Sequence, residues 1–434
     1  MLNAPSAAAG TKQGAFEWLS GGLFFGKGKG GIDSVWTCND VASLIKGIEE
    51  DLNTILSSPA PAVNEKGEGE IADATEEVKD DEAESEPSPA KFLEARLTRL
   101  RFLLYDERRK SSQQDGRRIT PMVAGATVQE VVGPQLQHLI PTILRNMATL
   151  PFESRKHAAA IFNYLLVCGL EGSDGELYEP VMISFRDYIE ARFDEILTLV
   201  VQGHDCSAPG ASDVGLHCGS IYRSCFKHAN LYRQLVSTTQ RVEQYIFPFL
   251  DKFVHVPNFD IASDAMESLR MVFTAGFGPQ TAVTDAASQQ IMAELAAEFL
   301  SRDYEAIWDQ RFNPKLLSDQ ANYMIRRVAL QVLSTILLTR SNYAVMIRYV
   351  NSRKNLILVM HLLRDTSPHI TLDAFHVFKV FVANPNKIPE VEKILKDNRD
   401  KLCNYLESLH SEKEATDNQF RDEKALIIST IQGL

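Results

Sequence analysis

The sequence predicts an all-α protein, an armadillo- or HEAT-like helical-repeat solenoid. From about residue 90 to the C-terminus, apolar residues recur at helical spacing, and the alternation typical of strands is almost absent. The helical patterns come in pairs or triplets that recur about every 40 residues. The 434-residue chain is 44% hydrophobic, so it is able to bury a large core.

Three segments are expected before the repeats. The sequence predicts a flexible N-terminal arm over residues 1–35 and a first helical segment over residues 36–58. Residues 59–90 predict a disordered acidic insertion, because eleven acidic residues and two lysines lie between Glu65 and Glu86. This segment therefore carries nine of the twelve net negative charges of the chain, and the remainder is close to neutral.

Deletion of residues 60–90 is expected to leave the thermal midpoint nearly unchanged. The segment has few large apolar residues, so it cannot offset the entropy cost of ordering. Differential scanning fluorimetry compares the thermal midpoints of the deletion variant and the full chain. A loss of several degrees would show that the segment packs.

Residues 91–434 predict the armadillo-like repeats, with an insertion near 274–290. The clearest helix is a nearly all-apolar run that begins at Ser367, the expected N-cap, and Pro368, the expected first helical residue. Asn384-Pro385 is expected to end it, because proline disfavours the α conformation in the residue before it. Neighbouring helices must cover such a helix on several sides, and His376 within it is expected to be a hydrogen-bonded core residue.

Composition excludes several classes of function. No strongly basic stripe supports nucleic-acid binding, and no apolar run approaches the ~20 residues that span a bilayer. The N-terminus lacks a secretory signal pattern, so a cytoplasmic protein is expected. The six cysteines lack Cys-x-x-Cys spacing, and a cluster of histidines and cysteines between His204 and His228 lacks metal-ligand spacing, so neither metal nor cofactor is predicted.

No enzyme motif stands out. The glycine-rich run Gly26–Gly31 lacks the Lys-Ser/Thr ending of a phosphate-binding loop, and neither a preceding strand nor a βαβ unit is apparent. Hydrolase elbows, zinc-protease helices and calcium-binding loops are likewise missing from the sequence pattern. The sequence therefore predicts a protein that is not an enzyme.

A binding surface is predicted from Tyr323, Arg327 and Gln331, which are spaced four apart and so share one helix face. Arg340 and Tyr343 follow at the next turn. In a solenoid, equivalent helices stack into a concave wall, and Tyr, Arg and Met are favoured where partners bind. Ordinary solvated side chains are the alternative interpretation. The turn leads into the next helix, and the helix after that one adds two apolar candidates, Ile357 and Met360.

Residues 374–387, with Leu362–Asp365 ahead of them, closely resemble the signature of the calcium-binding protein 39 family, also called Mo-twenty-five scaffolds. The resemblance implies a curved rod of armadillo-like repeats with a concave binding face. Further matches keep the order of the family and span most of the chain: Leu23–Lys27, Pro151–Glu153, Ile161–Asn163, His217–Gly219, Phe259–Ala265 and Asn418–Lys424.

What the resemblance implies about function is a scaffold that activates sterile-twenty-type protein kinases or a related pseudokinase. Tyr323, Arg327 and Met360 match positions that grip partner kinases, the latter two at the pocket for a Trp-Glu-Phe-like tail of the partner pseudokinase. Arg340 matches a contact with the kinase lobe, where Tyr343 replaces the usual phenylalanine. Gln331 and Ile357 stand where the family usually has lysines, which weakens contacts to acidic groups.

Two interpretations remain open. One is the kinase-activating scaffold. Whether a second kinase then completes a ternary complex is an open question. The other is a generic armadillo adaptor that links non-kinase partners in polarity or cell-division machinery. The identity of the captured partner distinguishes them.

Overall fold

The computed structural model describes residues 32–37, 41–57, 87–104, 139–167, 179–205, 212–277 and 286–434. These residues form helices and turns, with no strand among them, so the predicted all-α class is confirmed. Within the same ranges, no helix is both long and apolar enough to cross a membrane. Most of the predicted arm and acidic insertion, and residues 278–285 of the predicted 274–290 insertion, lie outside the described residues.

The chain divides into two compact units, residues 1–103 and 104–434. Within the first unit, Arg96 Nη1 donates to Gly47 O at 2.7 Å and to Asp51 Oδ2 at 2.5 Å, which joins its second and third helices. The first helix begins inside the range predicted as the arm, and the third groups with this unit ahead of the repeats. The described helices are α1 (Ile32–Thr37), α2 (Val41–Ser57) and α3 (Pro89–Leu104).

In the described part of the second unit, the elements are α-helices, short 3-10 turns and one π-helix. The helices are α4 (Leu139–Arg145), α5 (Phe152–Val167), α6 (Glu179–Ala191), α7 (Phe193–Gln202), α8 (Ser212–Cys225), α9 (Ala229–Val236), α10 (Thr239–Tyr245), α11 (Phe247–Asp251), α12 (Phe259–Phe273), α13 (Ala286–Arg302), the π-helix (Glu305–Leu316), α14 (Tyr323–Leu338), α15 (Tyr343–Val350), α16 (Arg353–Leu362), α17 (Pro368–Ala383), α18 (Pro389–Asp397), α19 (Arg399–Ser408), α20 (Ser411–Thr416) and α21 (Asn418–Gln432).

Equivalent helices of the second unit stack in rows. In the first row, α5, α8, α12, α14, α17 and α21 each pack against the next. In a second row, α6, α9, α13 and α15 do the same. Each helix thus buries its apolar face against its equivalents in neighbouring repeats. This packing is the helical-repeat solenoid that the sequence predicts.

Ion pairs join consecutive helices of the first row. Their side chains are mostly shielded from solvent, so removing one partner would leave a poorly compensated charge. Each pair therefore favours one relative position of the two helices that it joins. The pairs are Arg155 with Asp213 (2.5 Å, α5 to α8), Arg223 with Asp264 (2.5 Å, α8 to α12) and Lys379 with Glu423 (2.7 Å, α17 to α21).

Helix α17 begins at Pro368 and ends at Ala383, as the sequence predicts. The Ser367 side chain makes no capping hydrogen bond, however. His376 is half-buried, so its assignment to the core was wrong, and burial lowers its pKa. The fully buried side chains of this helix are Ile370, Ala374, Phe375, Val377, Phe378, Phe381 and Val382.

Asn258→Ala is expected to lower the free energy of unfolding by about 1 kcal/mol. Asn258 Oδ1 accepts hydrogen bonds from Asp260 N at 3.0 Å and Ile261 N at 3.2 Å, which caps α12. Ser367→Ala is the matched control, because Ser367 precedes α17 without such a bond. Urea unfolding followed by circular dichroism compares the two variants. Equal losses would contradict the assigned role of the Asn258 cap.

Candidate functional site

The predicted surface stripe lies on α14, a member of the first row. Asn322 caps this helix, since its Oδ1 accepts a hydrogen bond from Ile325 N at 2.9 Å. Tyr323, the first helical residue, is 43% exposed. On the opposite side, Val328 is only half-buried. The buried residues there include Ile325, Ala329, Val332 and Ile336, which recur at helical spacing.

Arg327 lies at the centre of a polar cluster between α14 and α17. Its Nη1 donates to Tyr323 Oη at 3.4 Å, and its Nε lies 3.7 Å from Asp373 Oδ2. Gln331 Nε2 donates to the same carboxylate oxygen at 3.3 Å. The four-residue spacing thus brings the predicted stripe together, and α17 adds an acid to it. We call Tyr323, Arg327, Gln331 and Asp373 the α14–α17 cluster.

Asp373 is the electrostatic counterpart of Arg327. Burial raises the pKa of this carboxyl group, while the hydrogen bond from Gln331 and the nearby Arg327 and His369 act in the opposite direction. The α14 side chains therefore compensate a charge that burial disfavours. Arg327 Nε itself has no hydrogen-bond acceptor among the described residues. The cluster is thus balanced in charge, and Arg327 Nε is a buried atom rather than a donor that is open to a partner.

The sequence pattern does not identify Asp373 as a site residue. It lies 42 residues from Gln331, and only the packing of α14 against α17 brings the two together. One signal was present, because Asp373 is the single acidic residue of an otherwise largely apolar helix. A carboxylate at such a position needs a partner from a neighbouring helix.

Arg340 lies on the turn that follows α14, and Tyr343 is the first residue of α15. Residues Arg340–Asn342 form a 3-10 turn, and buried Asn342 Nδ2 donates to Ile336 O at 3.2 Å. This hydrogen bond fixes the turn to the end of α14. Arg340 is exposed and Tyr343 is 62% exposed, so the turn and the start of α15 present a cation and an aromatic ring to solvent.

Met360 and Ile357 are half-buried on α16, which packs against α17. A buried polar network holds the start of α16: Asn313 Nδ2 donates to Asn355 Oδ1 at 3.1 Å, and Asn355 Nδ2 donates to Tyr349 O at 3.1 Å. Asn313 belongs to the π-helix. The helix that carries Met360 (α16) and the helix that carries Arg327 (α14) therefore both pack against α17.

The histidine and cysteine cluster serves packing. His204 Nδ1 lies 3.0 Å from Val200 O and His228 Nε2 lies 2.8 Å from Leu166 O. Burial lowers the pKa of both histidines to about 4 and raises that of Cys225 to about 12, so all three side chains are neutral at pH 7. Where the structure describes the chain, no group of three or more metal-ligating side chains occurs.

The comparisons with known proteins agree with one another. A family model described as Mo25-like matches residues 66–434. The degreening-related gene dee76 protein of Auxenochlorella protothecoides is 35% identical over 68% of this chain and 78% of its own. The human calcium-binding protein 39-like is 33% identical over 68% and 76%. The Mo25-like protein of Schizosaccharomyces pombe is 33% identical over 67% and 76%.

Among solved structures, a designed armadillo repeat protein covers 79% of this chain and 100% of its own, with a TM-score of 0.33 and 9% identity. A likeness at this level does not establish the fold, which follows from the packing of the helix rows. The family match is different, because it extends over most of the chain and the relatives exceed 30% identity. The chain therefore belongs to the Mo25-like family, and this membership supports a general scaffold role.

Proposed function

We propose that this protein is a non-enzymatic scaffold that binds the kinase domain of a sterile-twenty-type kinase, or of a related pseudokinase, and holds it in the active conformation. One observation carries the proposal. Aromatic and cationic groups on α14, on the turn after it and at the start of α15 are partly or largely exposed: Tyr323, Arg327, Arg340 and Tyr343. These residue types dominate binding energy at protein interfaces.

Two parts of this surface have different roles in the proposal. Arg327 and Met360 receive the aromatic C-terminal tail of the partner. The helices that carry them, α14 and α16, both pack against α17, and the Arg327 side chain is 40% exposed. Arg340 and Tyr343 contact the folded kinase lobe, because the fixed turn and the start of α15 present both side chains to solvent. The tail tethers the partner and raises the effective concentration of the lobe at the turn.

Activation in this scheme requires no chemistry on the scaffold. Contacts that form only with the active kinase conformation shift the population towards that conformation, by as much as the scaffold's differential affinity for the two states. A scaffold that bound both states equally would tether the kinase without activating it.

The test is a kinase assay with purified components. Addition of this protein to a sterile-twenty-type kinase domain is expected to raise phosphorylation of a peptide substrate, and Arg340→Ala is expected to reduce the increase. Arg145→Ala is the matched control, since Arg145 is an exposed arginine on α4. Binding without any change in kinase activity would refute activation. Capture of non-kinase partners alone would favour the adaptor interpretation.

A further inference from the structure

Tyr343 has the most exposed ring among the described tyrosines. Its side chain is 62% exposed at the start of α15, and Tyr323 on α14, at 43%, is the only other exposed tyrosine in the described ranges. The remaining described tyrosines are half-buried or buried: Tyr164, Tyr188, Tyr222, Tyr232, Tyr245, Tyr304, Tyr349 and Tyr405. Tyr343 is therefore the described tyrosine that a modifying enzyme reaches most easily.

The two exposed tyrosines differ in what their hydroxyl groups contact. Tyr323 Oη accepts a hydrogen bond from Arg327 Nη1 at 3.4 Å. Tyr343 Oη has no hydrogen-bond partner among the described residues. Ser341 and Ala344, two exposed neighbours of Tyr343, carry small side chains. The hydroxyl group of Tyr343 is therefore open to the active site of an approaching enzyme.

Arg340 lies on the same side of the turn as Tyr343. The backbone N–H of Tyr343 donates to Arg340 O, and side chains three residues apart in such a turn lie on the same side. A side chain at the start of a helix also leans towards the turn that precedes it. Arg340 is exposed and forms no ion pair with another described residue. An uncompensated guanidinium group thus lies in the region that a phosphate on Tyr343 would occupy.

A phosphate on Tyr343 changes the charge of this surface. At pH 7 it adds a charge of about −1.5 to −2 and three strong acceptor oxygens. A guanidinium group pairs with phosphate oxygens through two parallel hydrogen bonds. Arg340 would therefore pair with the phosphate group and no longer be open to a partner. The region around the two residues would change from positive to net negative charge.

We propose that Tyr343 is a site of reversible phosphorylation, that its phosphate group pairs with Arg340, and that the modification releases the folded kinase lobe from the scaffold. A tyrosine kinase supplies the phosphoryl group from ATP. The phenolic oxygen bonds to the γ-phosphorus, the bond from that phosphorus to the β,γ-bridging oxygen breaks, and ADP leaves. The catalytic aspartate of the tyrosine kinase takes the phenolic proton. A phosphatase reverses the modification by hydrolysis, with water as the second reactant.

Only the last part of this inference rests on the proposed function, because release takes Arg340 and Tyr343 as the contact with the kinase lobe. The modification and the ion pair follow from exposure, spacing and charge. Separate measurements therefore test the site, the ion pair and the release.

Peptide mapping by mass spectrometry tests the site. The full chain is treated with a purified tyrosine-kinase domain of low sequence selectivity and Mg²⁺-ATP. Phosphate is expected to accumulate on Tyr343 faster than on Tyr323, the matched tyrosine that also begins a helix. The mapping assigns phosphate on Tyr105 and Tyr178, which lie outside the described residues, separately. Absence of phosphate from Tyr343, or equal rates on Tyr343 and Tyr323, would overturn the site.

Phosphorus NMR of the phosphorylated chain tests the ion pair. The second pKa of the phosphate group on Tyr343 is expected to be lower in the unchanged chain than in Arg340→Ala, because a neighbouring cation favours the dianion. Arg145→Ala, which removes an exposed arginine from α4, is the matched control and is expected to leave this pKa unchanged. Equal pKa values in the unchanged chain and Arg340→Ala would overturn the pairing.

The kinase assay tests the release. After removal of the tyrosine kinase, the phosphorylated chain is expected to lose most of its activation of a sterile-twenty-type kinase domain, and a tyrosine phosphatase is expected to restore it. Tyr343→Phe is compared with itself before and after the same treatment, and no change is expected. An equal loss in Tyr343→Phe would assign the effect to another tyrosine and overturn the inference.

The remaining outcomes separate this inference from the proposed function. Full activation by a chain that carries phosphate on Tyr343 would overturn the release and leave the scaffold function standing. Failure of the untreated chain to activate the kinase would refute the proposed function and the release with it. The mass spectra and the phosphate pKa would still decide the site and the ion pair, since neither measurement uses the partner.

Discussion

Phe378→Ala is expected to lower the free energy of unfolding by about 3–5 kcal/mol. Phe378 is 0% exposed on α17, and α17 packs against α14, α16 and α21. Removal of the ring leaves a cavity among helices that already contact one another, so the surroundings have little freedom to collapse into it. The lost contacts belong to several repeats, which is why a single substitution affects so much of the array.

Urea unfolding measures this loss, and Phe259→Ala provides the matched control. Phe259 is the first residue of α12 and is 65% exposed, so its truncation is expected to cost less than about 1 kcal/mol. The comparison holds the chemical change constant and varies burial alone. Similar losses for the two variants would contradict the placement of Phe378 in the core.

Local signals explain why the bounds of α17 were predictable. Pro368 fixes the backbone angle needed at a helix start, and the Asn384-Pro385 pair stops the helix. The sequence did not reveal how Asn384 is held after the stop. Its side chain accepts from Asn386 N at 3.0 Å and donates to Asn351 Oδ1 at 3.2 Å, and the latter bond links distant segments.

The π-helix Glu305–Leu316 was not predictable from the apolar pattern. It contains Pro314, which has no backbone N–H to give to a regular helix. Its stability depends on contacts that are remote in sequence, such as the hydrogen bond from Tyr349 Oη to Asn313 Oδ1 at 3.0 Å. Apolar periodicity indicates which face of a segment is buried, but it does not indicate which residues remote in sequence will contact that segment.

The candidate site was predictable to the extent that it lies on one helix. Four-residue spacing placed Tyr323, Arg327 and Gln331 together, and their contacts follow that spacing. Asp373 required the packing of two helices. The partner-binding role of these residues stays a prediction, and its sharpest test separates two functions on one surface.

The double variant Arg327→Ala/Met360→Ala is expected to abolish capture of an aromatic C-terminal peptide, measured by fluorescence anisotropy. Residues that anchor a partner contribute about 2 kcal/mol or more each to binding, so loss of two weakens binding at least several-hundredfold. Folding is expected to persist, because Gln331 still donates to Asp373 in this variant. We expect the double variant to lose at most about 1 kcal/mol in free energy of unfolding. Circular dichroism and the thermal midpoint measure this loss.

The double variant Arg340→Ala/Tyr343→Ala is expected to give the reverse pattern. Both side chains are exposed, one on the turn that the hydrogen bond of Asn342 holds and one at the start of α15, so their removal leaves the fold and the α14–α17 cluster intact. Tail capture should therefore survive while kinase activation falls, because the tether remains but the contacts that favour the active kinase are gone. Separate loss of the two activities would assign two roles to one surface. If both double variants bind the tail and activate the kinase normally, this surface is not the functional one, and the adaptor interpretation becomes the better account.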